Sequence, residues 1–255
     1  MHERSSKIIG VLIFIGLVSG VLYLTFFVKK GVNKGEIKMI AITGNNLLSA
    51  SDYLKFAKLD DPTKYSGLTL PVIYDRILKH PYVANADVEY DGVSEVTIDI
   101  VEKKIKAVVL SGGEPMFITN EFELLPIFGN TKFNDLPIIS NLPPGESYKP
   151  LSKLNTDEMK QAFEIIDAAK LVNANILNHL AEINLRHGGD IVLTFSGIKT
   201  PVIFGKNEAA KKIVYLDIIW DDMVRGKNLV ENSDYIDLRF ANEIYVGKSE
   251  NTGLN

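Results

Sequence analysis

His2, His80, His179 and His187 are the four histidines of this 255-residue chain; with no cysteine a thiolate site is impossible, and every imidazole-based site would have to be built on these four. None stands in an H-E-x-x-H or comparable spacing that would bring two ring nitrogens to one metal. His179 and His187 are near enough in sequence to share a surface, yet without a motif a solvated or internally satisfied imidazole is the expected state. Asp217, Asp221 and Asp222 gather on one predicted helix, the pattern of a solvated face rather than of a metal site. No glycine-rich phosphate loop, G-x-S-x-G or S-x-x-K stands in a strand–turn–helix setting. Gly188-Gly189-Asp190 is turn chemistry. The residues thus offer no catalytic, metal or cofactor site, and the function has to be sought in binding.

The elements that would position a binding surface begin with a tether. Ile8 to Val28 is an uninterrupted apolar run of 21 residues without a charge, and about 20 suffice to cross a hydrocarbon core as a helix. A cleaved signal peptide has a shorter apolar region and small residues at its end. This run ends T-F-F-V-K-K, which favours an anchor. A buried core helix is disfavoured because the segment has no polar face. The flanking charges are Arg4 and Lys7 before the run and Lys29, Lys30, Lys34 and Lys38 after it. Counted naively they place the C-terminal part in the cytoplasm, but the rule weakens when a long domain follows.

Beyond the tether the chain is acidic. Setting aside Arg4, Lys7, Lys29, Lys30, Lys34 and Glu3 from totals of 28 basic and 32 acidic residues leaves 23 against 31, about −8 over residues 36–255. With no basic cluster, nucleic acid is a poor ligand. The length suits one or two modest domains.

Glu36 to Thr43 reads as a strand ending at the Gly44-Asn45-Asn46 turn. Ser49 or Ser51 caps a short helix that places Tyr53, Leu54 and Ala57 inward. Pro71 opens a second helix that runs to His80-Pro81. Val83 to Tyr90 and Glu95 to Val101 follow as a hairpin across Asp91-Gly92, the second alternating Val96, Ile98 and Ile100 against Thr97, Asp99 and Val101. The order β-α-α-β-β predicts a one-sided sheet covered by two helices. Strands are next expected at Lys106 to Leu110, Met116 to Thr119 and Glu123 to Ile127, then a long irregular connection through Pro137 and Pro143-Pro144-Gly145. Thr156-Asp157-Glu158 opens an amphipathic helix with Met159, Ala162, Phe163, Ile166 and Ala169 inward. A hairpin joins Ile183–Arg186 to Ile191–Phe195 through His187–Asp190, extended by Val202 to Phe204. A helix from Glu208 to Val224 buries Ile213, Leu216, Ile219, Trp220 and Met223. Tyr235 to Phe240 and Ile244 to Val246 end the ordered part, and Ser249 to Asn255 read as a disordered tail.

Four segments in this order resemble the FtsQ/DivIB family of bacterial cell-division proteins: I-K-M-I-A-I-T-G-N (Ile37 to Asn45), H-P-Y-V-A-N-A-D-V (His80 to Val88), V-T-I-D-I-V-E-K-K-I-K-A (Val96 to Ala107) and Y-I-D-L-R-F-A-N-E-I-Y-V (Tyr235 to Val246). Ile105 departs from the family's usual proline, Phe240 from its tyrosine, and Asn120 from an aspartate that would open a turn. The resemblance implies an α+β protein: residues 1–7 a cytoplasmic tail, 8–28 a transmembrane helix, 29–35 a linker, 36–104 a POTRA domain, 105–248 a mixed β-sheet domain with two or more packing helices, and 249–255 a tail.

It further implies a non-enzymatic, cofactor-free scaffold in the inner membrane at the division septum, with its domains extracytoplasmic. Its partners would be FtsB- and FtsL-like coiled-coil proteins and the septal peptidoglycan synthase complex. Partner binding would fall to the last strands, where an unpaired sheet edge offers N–H and C=O groups in register. On this chain that means Arg239, Phe240, Asn242, Ile244, Tyr245, Val246, Gly247 and Lys248, with Phe240 and Tyr245 as aromatic anchors and Arg239 pairing a carboxylate. The plainer reading packs Tyr235, Ile236, Leu238 and Phe240 into the core and leaves Arg239 solvated. Two competing functions are a POTRA-containing adaptor or sensor outside division and an anchored cell-wall hydrolase. The first lacks repeated units or length for a barrel, and the second lacks a nucleophile or metal constellation.

Overall fold

The computed structural model describes residues 13–23, 36–110, 114–133, 135–144, 148–225, 233–240 and 242–248. Of the apolar run, residues 13–23 form a helix (α1) whose Ile13, Phe14, Ile15, Leu17, Val18, Val21, Leu22 and Tyr23 are all exposed. Residues 8–12 and 24–28 lie outside the described residues, as do the expected tails and linker. Among the described residues no helix is long and apolar enough to cross a membrane.

The first lobe has the expected β-α-α-β-β order: β1 (Met39–Thr43), α2 (Ala50–Phe56), α3 (Leu70–Leu78), β2 (Val83–Tyr90) and β3 (Glu95–Glu102). Its sheet runs β1-β3-β2, with β3 parallel to β1 and antiparallel to β2. Period-2 alternation decides the faces: Val96, Ile98 and Ile100 are buried against the helices, while Val101 is exposed. Local chemistry fixes the ends. Ser49 and Asp52 form a capping box at α2. The Asp91 carboxylate accepts from the amides of Val93, Ser94 and Glu95 at 2.8–2.9 Å, which closes the hairpin. Gly44 has φ +78°, and a Cβ there would collide with the Ile100 carbonyl oxygen, so only glycine fits.

The second lobe is one nine-stranded sheet, β4 (Ile105–Val109), β5 (Met116–Thr119), β6 (Leu124–Pro126), β7 (Ile138–Ser140), β8 (Leu180–Asn184), β9 (Ile191–Phe195), β10 (Ile198–Gly205), β11 (Tyr235–Asp237) and β12 (Tyr245–Gly247), in the order β12-β11-β10-β9-β8-β7-β4-β5-β6. Helices α4 (Asp157–Val172), α5 (Ala174–His179) and α6 (Ala209–Arg225) connect its strands. Thr156 caps α4 by accepting from the Met159 amide, and α4 buries the five residues predicted from its spacing. On α6, Ile213, Leu216, Trp220 and Met223 are buried and Ile219 is partly buried.

Three departures from the sequence expectations have local causes. The segment around Pro137, expected to be irregular, contains β7, which lies in the sheet interior parallel to both β4 and β8. Three residues between Pro137 and Asn141 are too few to show a period. The crossover from β7 to β8 also contains α5, a helix of six residues that no apolar spacing announces. The β8–β9 hairpin itself is as expected, antiparallel, with Arg186 and His187 at positive φ in a short 3-10 turn between the strands. Finally, β11 stops at Asp237 rather than Phe240, because Arg239 turns back on Asp237.

The lobes share a core. On β4, β5 and β6, Ala107, Val109, Ile118 and Leu124 face the helices, whereas Val108, Phe117 and Leu125 join the core of the first lobe. At this joint His80 is 2% exposed among the rings of Tyr53, Phe56, Tyr82 and Phe128, at centroid separations of 4.5–5.4 Å. The Tyr82 hydroxyl donates to the Pro126 carbonyl at 2.9 Å and accepts from the Phe128 amide at 3.3 Å. The α+β class and a mixed sheet with packing helices are therefore as the sequence implies.

Candidate partner-binding edge

A sheet binds another chain at an edge, and the two edges of the nine-stranded sheet differ in character. The β6 edge is covered. The Leu124 amide donates to the Ser152 carbonyl at 2.9 Å, the Leu151 amide donates to the Leu124 carbonyl at 2.7 Å, and Glu123 bridges Lys153. The other edge, β12, pairs antiparallel with β11 (Ile236 opposite Val246, Asp237 opposite Tyr245) and carries no strand on its outer side among the described residues. Exposed edges of this kind are templates for strand addition.

Phe240 and Tyr245 are 49% and 48% exposed, and their ring centroids lie 4.6 Å apart with a 59° tilt. Together they form an aromatic platform beside the edge. The Tyr245 hydroxyl donates to Glu243 at 2.6 Å, and that carboxylate raises the phenol pKa. Asn242 takes φ +66°, a conformation that asparagine tolerates better than most residues. Its Oδ1 accepts from the Tyr215 hydroxyl of α6 at 3.1 Å. Ile244 is half-buried against the core, Val246 is half-buried, and Lys248 is exposed just past the strand. Gly247 lies under Tyr235, whose ring would collide with a Cβ placed there. Ile236 and Leu238 are fully buried, as the plainer reading expected, whereas Tyr235 is half-buried and Phe240 is exposed, against it.

Arg239 is part-exposed and has carboxylate partners in its own chain. It is engaged within the chain: Nε and Nη2 donate to the Asp237 carboxylate at 2.6–3.1 Å, and Nη1 donates to Asp190 at 2.9 Å. Its aliphatic stem lies over Gly205, where a Cβ would be 2.7 Å from its Cγ. These carboxylates hold the guanidinium more firmly charged than usual. Asp237 is buried; burial raises its pKa, but the hydrogen bonds from Arg239 and the charges of Arg239 and Lys212 pull it below the ordinary value. Lys212, on the inward face of α6, is buried with its Nζ donating to the carbonyls of Phe204 and Lys206 at 2.9 and 2.7 Å. Burial lowers its pKa, opposed by Glu208, Asp190 and Asp237.

Asp190, Gly205, Lys212 and Tyr215 carry no motif that singles them out in the sequence. Lys212 does carry one signal: a cation at a position whose helical neighbours Ile213, Leu216 and Trp220 are all inward.

His179, His187 and the acidic residues of α6 do not form a joint site. His179 Nδ1 bonds the Asn175 carbonyl at 2.7 Å and His187 Nδ1 the Leu142 carbonyl at 2.9 Å, so each imidazole has its own backbone partner. Asp217 accepts from Asn173 at 2.7 Å, and Asp221 pairs with Arg225 at 3.3 Å. No group of three metal-ligating side chains occurs among the described residues.

Residues 36–103 match the family model described as POTRA domain, FtsQ-type, which spans the first lobe. Over 246 residues the chain is 21% identical to the cell division protein FtsQ of Geotalea daltonii, an alignment covering 96% of this chain and 88% of that protein. The similarity therefore extends through both lobes to the terminal strands. Both findings agree with the family resemblance carried by the four sequence segments.

Proposed function

We propose that this chain, which belongs to the FtsQ/DivIB family, acts in bacterial cell division as a non-enzymatic, membrane-anchored scaffold that binds its partner by strand addition at β12. The observation that carries the division role is the end-to-end similarity to FtsQ, joined to an FtsQ-type POTRA domain. Residues 8–28 serve as the anchor. The support is the unbroken apolar sequence and the all-round exposure of apolar side chains along α1, which in water would be unfavourable by roughly 25 cal/mol for each Å² of apolar surface. With the N-terminus cytoplasmic, both lobes lie outside the inner membrane, where they meet FtsB- and FtsL-like coiled-coil proteins and, through them, the septal peptidoglycan synthase complex.

The docking site is the β12 edge with Phe240, Asn242, Ile244, Tyr245, Val246, Gly247, Lys248 and Arg239. Backbone groups of Tyr245–Gly247 supply affinity at about 0.5–1.5 kcal/mol for each hydrogen bond gained. The Phe240–Tyr245 platform selects the partner's side chains, since aromatic anchors dominate interface energetics.

Depletion should give filamentous cells, and a fluorescent fusion should gather at midcell; normal division with uniform membrane fluorescence refutes the division role. Tyr245→Lys should cut pull-down of the FtsB-like partner at least tenfold in a folded chain. Undiminished pull-down moves the site off β12. A periplasmic reporter enzyme fused after residue 248 should be active, and activity only of a cytoplasmic reporter reverses the topology.

A further inference from the structure

The joint between the lobes holds a cleft of about 300 Å³, at the small end of the range for ligand sites and roomy enough for one ring with its substituent. One wall is α2 of the first lobe, with Asp52, Lys55 and Phe56. The other is the turn after β6 in the second lobe, Phe128 to Asn130. His80 forms the floor. Phe56 and Phe128 meet edge to face at 6.3 Å, and both lie against the His80 ring, at 4.5 and 5.4 Å. These ring faces suit a flat apolar body.

The polar groups of the floor and the α2 wall are unmatched in one direction. His80 Nδ1 accepts from the Tyr82 amide at 3.1 Å and burial keeps the ring neutral, so the proton sits on Nε2. That N–H has no acceptor among the described residues, although His80 is only 2% exposed. A buried donor left in this state is costly, and an acceptor on a ligand would relieve it. Lys55, at the rim, forms no hydrogen bond or ion pair among the described residues. Asp52 is the one carboxylate lining the cleft, and both its oxygens are engaged: Oδ2 by the Ser49 amide and hydroxyl, Oδ1 by Asn130 Nδ2 at 3.3 Å. Two donors therefore remain open, one of them charged, and the Lys103 charge also acts on the His80 ring. Such a pair calls for an anionic acceptor.

We propose that this cleft binds a carboxylate carried on an aromatic body, the carboxylate accepting from His80 Nε2–H and Lys55 Nζ while the ring lies against Phe56 and Phe128. The inference is independent of what docks at β12. Because the walls belong to different lobes, an occupant would brace the joint, adding to the Lys132 amide that donates across it to the Leu47 carbonyl at 2.7 Å.

The test uses the full-length chain in detergent, labelled with ¹⁵N-histidine, and phenylacetate as the probe. Phenylacetate should bind with a Kd on the order of 1 mM, as a ligand of this size allows, and should shift His80 Nε2 while leaving His179 and His187 unmoved. Phenethylamine, with the same ring but a donor-only end, should bind at least tenfold more weakly. Lys55→Met, a change at an exposed position, should weaken phenylacetate about two- to fivefold. At a probe concentration ten times Kd, hydrogen exchange at the Lys132 amide should slow about tenfold. N-Acetylphenylalanine presents the same groups as the end of a polypeptide. Its binding more tightly than phenylacetate identifies a chain terminus as the source, its binding more weakly identifies a free aromatic acid, and either supports the site. Absence of phenylacetate binding, equal binding of phenethylamine, binding that leaves His80 unmoved, or an unchanged Kd in Lys55→Met overturns the proposal.

Discussion

Replacing Gly205 by alanine should destabilise the second lobe by about 2–4 kcal/mol, and the structure supplies its own control. Gly205 ends β10 with φ +69°, and its missing side chain is the space in which Arg239 lies. An alanine there incurs two separate costs. The first is the left-handed backbone, about 1 kcal/mol for a residue with a Cβ. The second is displacement of the Arg239 stem, because a Cβ at 2.7 Å from Cγ meets the middle of the side chain rather than its mobile end. Moving that stem strains the hydrogen bonds that neutralise buried Asp237. Complete loss of a partner from a buried pair costs roughly 3–5 kcal/mol; since Arg239 is half-exposed and water can replace part of its role, about 1–3 kcal/mol is the expected share. Gly197, with φ +79° and no atom within 4 Å of where a methyl group would stand, carries the backbone cost alone. Gly197→Ala should therefore cost about 1 kcal/mol. Urea unfolding of the detergent-solubilised chain can be followed by fluorescence of Trp220, the sole tryptophan, buried on α6 with its ring 5.1 Å from that of Phe195. A difference between the two variants below about 0.5 kcal/mol, the limit for measuring independent sites, would refute the role assigned to the Arg239–Asp237 contact.

Two further predictions concern the joint between the lobes. His80 has its pKa lowered from 6.5 to about 4, first by burial and then by the Lys103 charge. The unfolded chain binds this proton more readily, so the contribution is full above pH 6.5, falls as pH drops and is lost by about pH 4, about 3 kcal/mol in all. The wild-type decline between pH 6.5 and 4 should exceed that of His80→Leu, and parallel curves would contradict the assignment. Tyr82→Phe removes the hydroxyl shared by Pro126 and Phe128 and should cost about 1–3 kcal/mol in urea unfolding, with increased hydrogen exchange at the Phe128 amide; unchanged exchange there would show that the hydroxyl does not tie the lobes.

The legible parts of this fold are those where one period runs long enough to be read. Val96, Ile98 and Ile100 announce β3 and its buried face, and the spacing from Met159 to Ala169 announces α4. Ser49 marks a helix start by its own chemistry. What stays hidden depends on distant residues. Ile138–Ser140 is a strand only because β4 and β8 flank it, and nothing in three residues reveals that. Arg239 can be read from sequence as an interface residue or a solvated one, because Asp190 and Gly205, which fix its position, lie 49 and 34 positions earlier in the chain. The edge residues are visible as a terminal pair of short strands. That this edge is the open one requires seeing residues 151–154 laid along the opposite side.

That difference between the two sides gives the nine-stranded sheet a valence of one. An assembly growing edge to edge needs a free donor at each end of every unit, and here the β6 end is occupied by the chain's own backbone. A strand received at β12 therefore ends the series instead of extending it. Two copies of the sheet can meet through β12 only as a closed pair, and such a pair would exclude the partner. If β12 receives the partner as proposed, the number of partner strands taken up can be no larger than the number of copies of this chain.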